Sequence, residues 1–163
     1  MPAGTRYRPD AGRLPAFIEA ALWFHDAIYD PRSSTNEEDS AALAADCFST
    51  ASLPPAHIAA IRQLILSTKT HHAGENTDAA LLIDADLAIC GQPTSRFLEY
   101  ESGIKAEYAW VPAATYVEKR VQILSNFLER AEIYRTDYFK EHYEGAARTN
   151  LGQAISALGA ARS

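Results

Sequence analysis

Apolar residues recur at intervals of three and four along most of this chain, which is the period of an amphipathic helix. Proline, glycine and polar runs divide that pattern into helices predicted at about residues 16–29, 55–69, 78–90, 94–108 and 112–130. Another is predicted from Thr35 or Asn36 to the proline pair at 54–55, and a last one follows Thr136 with Gly145 as a candidate break. No run alternates polar and apolar residues like a strand, so the sequence predicts an all-α fold.

The length and the net charge of the chain limit its domain organisation and the kinds of partner that it can bind. The 163 residues suit one compact helical domain, predicted over residues 16–163 after an irregular, proline-rich lead-in at 1–15. A formal charge of −6 argues against a nucleic-acid polymer as partner, because that binding needs a clustered basic surface. No apolar run approaches a membrane span and no secretory signal opens the chain. With Cys47 and Cys90 far apart, the sequence predicts a cytoplasmic protein with reduced thiols and no membrane partner.

The first predicted helix carries adjacent histidine and aspartate residues, His25 and Asp26. His25 falls within an apolar arc and Asp26 lies at its edge; the arc comprises Phe17, Ile18, Ala21, Leu22, Phe24 and Ile28. A lone buried histidine usually bonds a carbonyl, but an inward carboxylate beside it favours a cation. Imidazole and carboxylate groups suit a divalent metal, with Mn, Mg, Fe, Zn and Co all compatible.

Two aspartates on the helix predicted at 78–90 point in nearly opposite directions. Asp86 lies in the middle of the apolar stripe, where a carboxylate needs a cation or several donors, and is the stronger candidate ligand. Asp84 falls on the far side and is predicted to support Asp86 or to contact solvent. A buried aspartate that caps another helix is the structural alternative for Asp86.

Other polar groups are candidates for supporting roles. His71 and His72 follow the helix predicted at 55–69. They are candidate catalytic groups, or they form a solvated helix end. The helical phase favours His72 for the inward position. Glu37 and Glu38 are candidates for a general base or for orienting a water molecule. The structural alternative is that they belong to a capping box at the start of their helix. The chain lacks a glycine-rich phosphate loop, a GxSxG and an HExxH motif.

Several segments together resemble the predicted metal-dependent phosphohydrolases of the HD superfamily, over about residues 16–158. They are WFHDAIYD at 23–30, NEEDSA at 36–41, TKTH at 68–71, DADLAICG at 84–91, IYRT at 133–136 and ARTNL at 147–151. The resemblance implies an all-helical domain whose ligands are a histidine, the His-Asp doublet and a later aspartate. By position the doublet is His25-Asp26 and the aspartate is Asp86. The family spacing favours His71 over His72 as a further metal or phosphate contact.

This chain departs from the family pattern before the doublet. The family has an earlier helix that supplies the first histidine ligand, and no histidine precedes His25 here. Three explanations stand open: the form is truncated, another protomer supplies the ligand, or His71 or His72 replaces it. A lost helix would also leave an apolar face, to which Trp23 could belong, available for a homodimer.

Three functions follow as hypotheses. The first is a phosphohydrolase acting on a small phosphorylated compound or nucleotide through a metal-activated water. Its candidate phosphate-binding residues are Lys69, Lys105, Arg120 and Arg135. The second is a catalytically impaired helical ligand-binding or regulatory module that retains a relict metal site. The third is a structural helical protein whose inward polar groups satisfy one another.

Overall fold

The computed structural model describes residues 14–160, and in that range every regular element is helical. The α-helices are α1 (Leu14–Phe24), α2 (Asn36–Thr50), α3 (Pro55–Thr68), α4 (Thr77–Asp86), α5 (Thr94–Glu107), α6 (Ala113–Leu128) and α7 (Asp137–Ala160). A 3-10 helix, Leu87–Gly91, follows α4 directly. The all-α prediction is confirmed. The lead-in predicted for residues 1–15 lies outside the described residues except for Leu14 and Pro15, which already belong to α1.

Three helix boundaries differ from the sequence-based prediction. Helix α1 ends at Phe24 rather than near residue 29, and His25 and Asp26 lie in the turn that follows it. The helix predicted at 78–90 tightens into 3-10 geometry after Asp86. Helix α7 continues through Gly145 without a break, because a single glycine inside a long helix costs only about 1 kcal/mol relative to alanine.

The described chain divides after Asp86 into two compact units. The first unit contains α1 to α4, and the second contains the 3-10 helix and α5 to α7. The prediction of one domain over residues 16–163 stays a prediction. None of the helices between Leu14 and Ala160 is long and apolar enough to cross a lipid bilayer.

In the first unit, α3 lies at the centre and packs against α1, α2 and α4. Its core consists of small and branched apolar side chains: Ile18, Ala21, Ala41, Ala44, Ile61, Leu64, Ile65, Ala79 and Leu82. The alanines on α1 and α2 let the helix backbones approach closely. This packing places the end of α1, the start of α2 and the ends of α3 and α4 within reach of one another, and the candidate site lies there.

In the second unit, α7 packs against α6 and the 3-10 helix. Buried Tyr134 donates a hydrogen bond to the carbonyl of Leu87, 3.0 Å away. Buried Asn150 on α7 donates to the carbonyls of Cys90 and Gln92 and accepts a bond from Thr94. These buried polar side chains satisfy two carbonyls of the 3-10 helix and one of the connection between it and α5.

Candidate functional site

His25 lies where α1 ends, and its own side chain helps to end the helix. Its Nδ1 donates a hydrogen bond to the carbonyl of Leu22, 2.8 Å away, one of the carbonyls left without a partner at a helix C-terminus. Because a carbonyl only accepts, Nδ1 carries a proton. The other ring nitrogen, Nε2, therefore faces the acidic residues, 3.3 Å from Asp86 Oδ1 and 3.4 Å from Asp26 Oδ2.

Asp86, the last residue of α4, lies between two imidazoles. Its Oδ1 is 3.3 Å from His25 Nε2 and its Oδ2 is 3.2 Å from His71 Nε2. A carboxylate at a helix C-terminus meets the negative end of the helix dipole, so its ionised form needs positive partners. Three segments of the first unit thus supply a cluster of four side chains: His25 and Asp26 after α1, His71 after α3, and Asp86.

The histidine–carboxylate contacts shift two pKa values in opposite directions. The hydrogen bond to Asp86 raises the pKa of His25 to about 9, against the opposing effect of burial. Burial raises the pKa of Asp86, but the hydrogen bonds from His25 and His71 and their charges outweigh it and lower the pKa to about 2. At neutral pH, His25 is therefore an imidazolium beside an ionised Asp86.

Asp26 is the exposed member of the cluster, with 61% of its side chain accessible. Partial burial raises the pKa of Asp26, His25 opposes that shift, and the nearby carboxylates of Asp86 and Glu37 add to it. Because most of the side chain is solvated, water screens these interactions. Its exposure makes Asp26 the carboxylate of the cluster that is most open to a ligand from solution.

The burial of the two α4 aspartates is the reverse of what helix phase predicts. Asp84 is fully buried, whereas 22% of the Asp86 side chain is accessible. The expectation that Asp84 contacts solvent is wrong. For Asp86 the reason is that α4 ends there, so Ile89 and Cys90 of the 3-10 helix do not continue the predicted apolar stripe in α-helical register.

The adjacent histidines after α3 have different surroundings. His71 contacts Asp86, and His72 is exposed. Helix phase favoured His72 because it assumed that the helix continues, but α3 ends at Thr68 and His71 has a left-handed backbone with φ of 49°. Such a backbone is uncommon for a residue other than glycine, and histidine, like asparagine and aspartate, adopts it more often than most. It turns the imidazole of His71, rather than that of His72, towards the cluster.

The glutamates at the start of α2 bind a lysine. Lys69 donates a 2.5 Å hydrogen bond to Glu38 Oε1, and its Nζ lies 3.8 Å from Glu37 Oε2. The same ammonium group donates to the carbonyl of Ser34 at 2.7 Å. Thr35 precedes α2 without a side-chain capping bond to its backbone. Pairing with Lys69, and not a capping box, therefore accounts for these two glutamates.

The other candidate phosphate-binding residues lie in the second unit. Arg120 forms a two-bond ion pair with Glu101, with both side chains largely buried. Lys105 is exposed in the last turn of α5, and Arg135 is exposed before α7. The fork-to-fork pair already satisfies much of the guanidinium of Arg120, which gives that residue a structural role inside its unit.

Two polar residues that hold the site segment in place were not singled out in the sequence. Buried Ser40 on α2 accepts a hydrogen bond from the amide of Ile28 and donates one to its carbonyl. Asn36 exchanges two hydrogen bonds with the backbone of Asp30. A signal was available for Ser40, since it stands beside inward-facing Ala41 in the helical register.

The cluster consists of paired donors rather than donors that converge on one point. Among residues 14–160, no three or more His, Cys, Asp or Glu side chains form a group arranged to hold a metal ion. Comparison of the chain with family models, curated proteins and solved structures finds no match. Membership of the HD superfamily therefore stays a prediction from the sequence.

Proposed function

We propose that the first unit carries the centre of a metal-dependent phosphohydrolase, with His25, Asp26 and Asp86 as ligands of one divalent cation. The observation that supports this most is the position of Asp86 between two imidazole nitrogens, with Asp26 beside the same nitrogen of His25. Nothing in a purely structural helix end requires two histidines and two carboxylates from three separate segments.

The donor set suits a divalent cation in its chemistry, and its contacts around His25 Nε2 have lengths compatible with shared ligands. Two ligands that share one ion at about 2.1 Å each stand roughly 3.0–3.4 Å apart for octahedral to tetrahedral angles. Among the proposed ligands, His25 Nε2 lies 3.3 Å from Asp86 Oδ1 and 3.4 Å from Asp26 Oδ2. In addition, the Nδ1–H of His25 is already bonded to a backbone carbonyl, the usual way in which a metal-ligating imidazole is oriented.

Loading requires the paired arrangement to open. His25 must lose the Nε2 proton that it shares with Asp86, because only the neutral imidazole has a lone pair to offer. A divalent cation in this place would supply a bound water of lowered pKa and polarise a phosphoryl oxygen. The chain's own residues would then orient the reactants. His71 lies beside Asp86 Oδ2, the oxygen that does not contact His25. Glu37, whose charge influences the ionisation of Asp26, is a candidate partner for the water.

The test uses the whole chain, stripped of metal by a chelator, with Mn²⁺ as the probe. We expect Mn²⁺ to raise the melting temperature and to permit phosphate release from at least one member of a panel of nucleotides and small phosphomonoesters. Asp86→Asn should weaken Mn²⁺ binding by at least about tenfold and abolish turnover. The matched control is Asp46→Asn, an exposed aspartate on α2, which should behave as wild type. A folded wild-type protein with neither response to Mn²⁺ would refute the proposal.

The mutual pairing of the site residues favours a second candidate function, a ligand-binding module that keeps this cluster of side chains but does not catalyse a reaction. In this case the contacts of Asp86 with His25 and His71 are the resting state of the site. Stabilisation by Mn²⁺ or by a phosphorylated ligand, without phosphate release over the whole panel, would support the binding module over the enzyme.

A further inference from the structure

Lys69 lies where three segments of the first unit meet. Its ammonium group is 2.7 Å from the carbonyl oxygen of Ser34, 2.5 Å from Glu38 Oε1 and 3.8 Å from Glu37 Oε2. Ser34 belongs to the connection between α1 and α2, the glutamates form the first turn of α2, and Lys69 directly follows α3. The first two contacts are hydrogen bonds, and the third is a longer ion pair with Glu37.

The same segments carry the side chains of the candidate site. The connection that contains Ser34 begins with His25 and Asp26, and Glu37 is near enough to Asp26 to influence its ionisation. On the other side, His71 follows Lys69 by two residues, at the point where the backbone turns left-handed. Through Ser34, Lys69 therefore links the connection that begins with His25 and Asp26 to the segment that bears His71.

We infer that Lys69 is a positioning residue, which sets the separation between the His25–Asp26 turn and His71 and does not itself bind phosphate. This inference rests on the proposed metal site. It gives the NEEDSA segment a role, because Glu37 and Glu38 are then the partners that hold the lysine. It also replaces the phosphate contact expected for Lys69 from the sequence.

Whether Mn²⁺ binds more weakly or more tightly after replacement of Lys69 distinguishes a positioning role from a purely electrostatic effect of its charge. A positive charge near a cation site repels the cation, so removing that charge alone strengthens cation binding. Loss of Lys69 would also release two carboxylates, which again favours a cation. If Lys69 positions the ligands, its replacement by a neutral residue must weaken Mn²⁺ binding in spite of both effects.

The experiment measures the dissociation constant of Mn²⁺ by calorimetry on the full chain, for wild type, Lys69→Met, Lys69→Arg and Arg62→Met. Arg62 is an exposed cation on α3 and serves as the charge-loss control. We expect Lys69→Met to bind Mn²⁺ about tenfold more weakly, in the range found for groups that orient metal ligands. Lys69→Arg should recover most of the affinity, since its guanidinium can reach the same acceptors, and Arg62→Met should bind as well as wild type or slightly better.

The outcomes distinguish failure of the positioning role of Lys69 from failure of the metal site. Mn²⁺ binding by wild type with unchanged or tighter binding by Lys69→Met overturns the positioning role and leaves the metal site intact. Absence of Mn²⁺ binding by the wild type overturns the metal site and the inference together. If Lys69→Met fails to fold by circular dichroism, Lys69→Gln replaces it, whose amide still donates to one acceptor, and the same sign of change is required.

Discussion

At the scale of single residues, the candidate site is a set of ionisable groups whose charges depend on one another. Asp86 accepts hydrogen bonds from His25 and His71 through different oxygens, and His25 has a second bond to the carbonyl of Leu22. The sequence identified His25, Asp26 and Asp86 because polar residues stand out within an apolar helical pattern. It could not choose between His71 and His72, since that choice depends on a backbone turn after α3.

The two adjacent histidines give a matched pair of substitutions. We expect His71→Gln to raise the pKa of Asp86, because the carboxylate loses one of its two hydrogen-bond donors, and to weaken Mn²⁺ binding if the metal site exists. His72→Gln should leave both quantities unchanged. The pKa of Asp86 can be followed by carboxyl NMR during an acid titration. An equal effect of the two substitutions would contradict the assignment of His71 to the cluster.

At the scale of elements, side chains at helix ends fix the connections between helices. Ser40 and Asn36 hold the backbone from Ile28 to Asp30 against α2. The periodic pattern predicted most of the helices well, because burial of one face requires it. The end of α1 was predicted less well, since the hydrogen bond from the side chain of His25 to the carbonyl of Leu22 decides it locally.

Of the glycines in the described residues, Gly91 is the one with the closest neighbours, at the contact between the 3-10 helix and α7. A Cβ added there would lie 2.7 Å from the Cβ of Tyr143 and 2.9 Å from its carbonyl oxygen. We therefore expect Gly91→Ala to destabilise the protein by about 1–3 kcal/mol, because α7 must shift to relieve the overlap. Urea unfolding followed by circular dichroism measures the change.

Gly145 provides the control for that substitution. It lies inside α7, and an added Cβ would meet nothing within 4 Å. Gly145→Ala should stabilise the protein by about 0.5–1 kcal/mol, the ordinary gain from replacing a glycine in a helix interior. If both substitutions had the same sign, the tight contact between Gly91 and Tyr143 would be wrong.

At the scale of the whole molecule, the chain has a formal charge of −6, and its described residues divide into two helical units. All four members of the cluster belong to the first unit, and so do both glutamates and Lys69. Stability against pH is a property of the entire protein, but the shifted groups of this cluster contribute to it in a direction that can be worked out.

The cluster contributes most to the stability of the metal-free protein in a window of weakly acidic pH. His25 has a raised pKa of about 9, so its contribution is complete below its ordinary value of 6.5 and is lost as the pH rises through 9. Asp86 has a lowered pKa of about 2, so its contribution is complete above 3.8 and is lost as the pH falls through 2. The two contributions are therefore fully present together between about pH 3.8 and 6.5.

Denaturation of metal-free wild type and His25→Gln across this range checks the expectation. The difference in unfolding free energy between the two proteins should be largest below pH 6.5 and should shrink as the pH approaches 9 and above. A difference that does not vary with pH would mean that the charge of His25 contributes nothing to folding.

The sequence by itself determined the helical class of the protein, because hydrophobic periodicity is a local property of the chain. The tertiary structure decided which of those residues meet. Asp86 pairs with His71 and not His72, Asp84 is buried, and Glu37 and Glu38 hold Lys69 rather than capping α2. These outcomes depend on where helices end and on which segments pack together, and contacts between residues distant in sequence fix both.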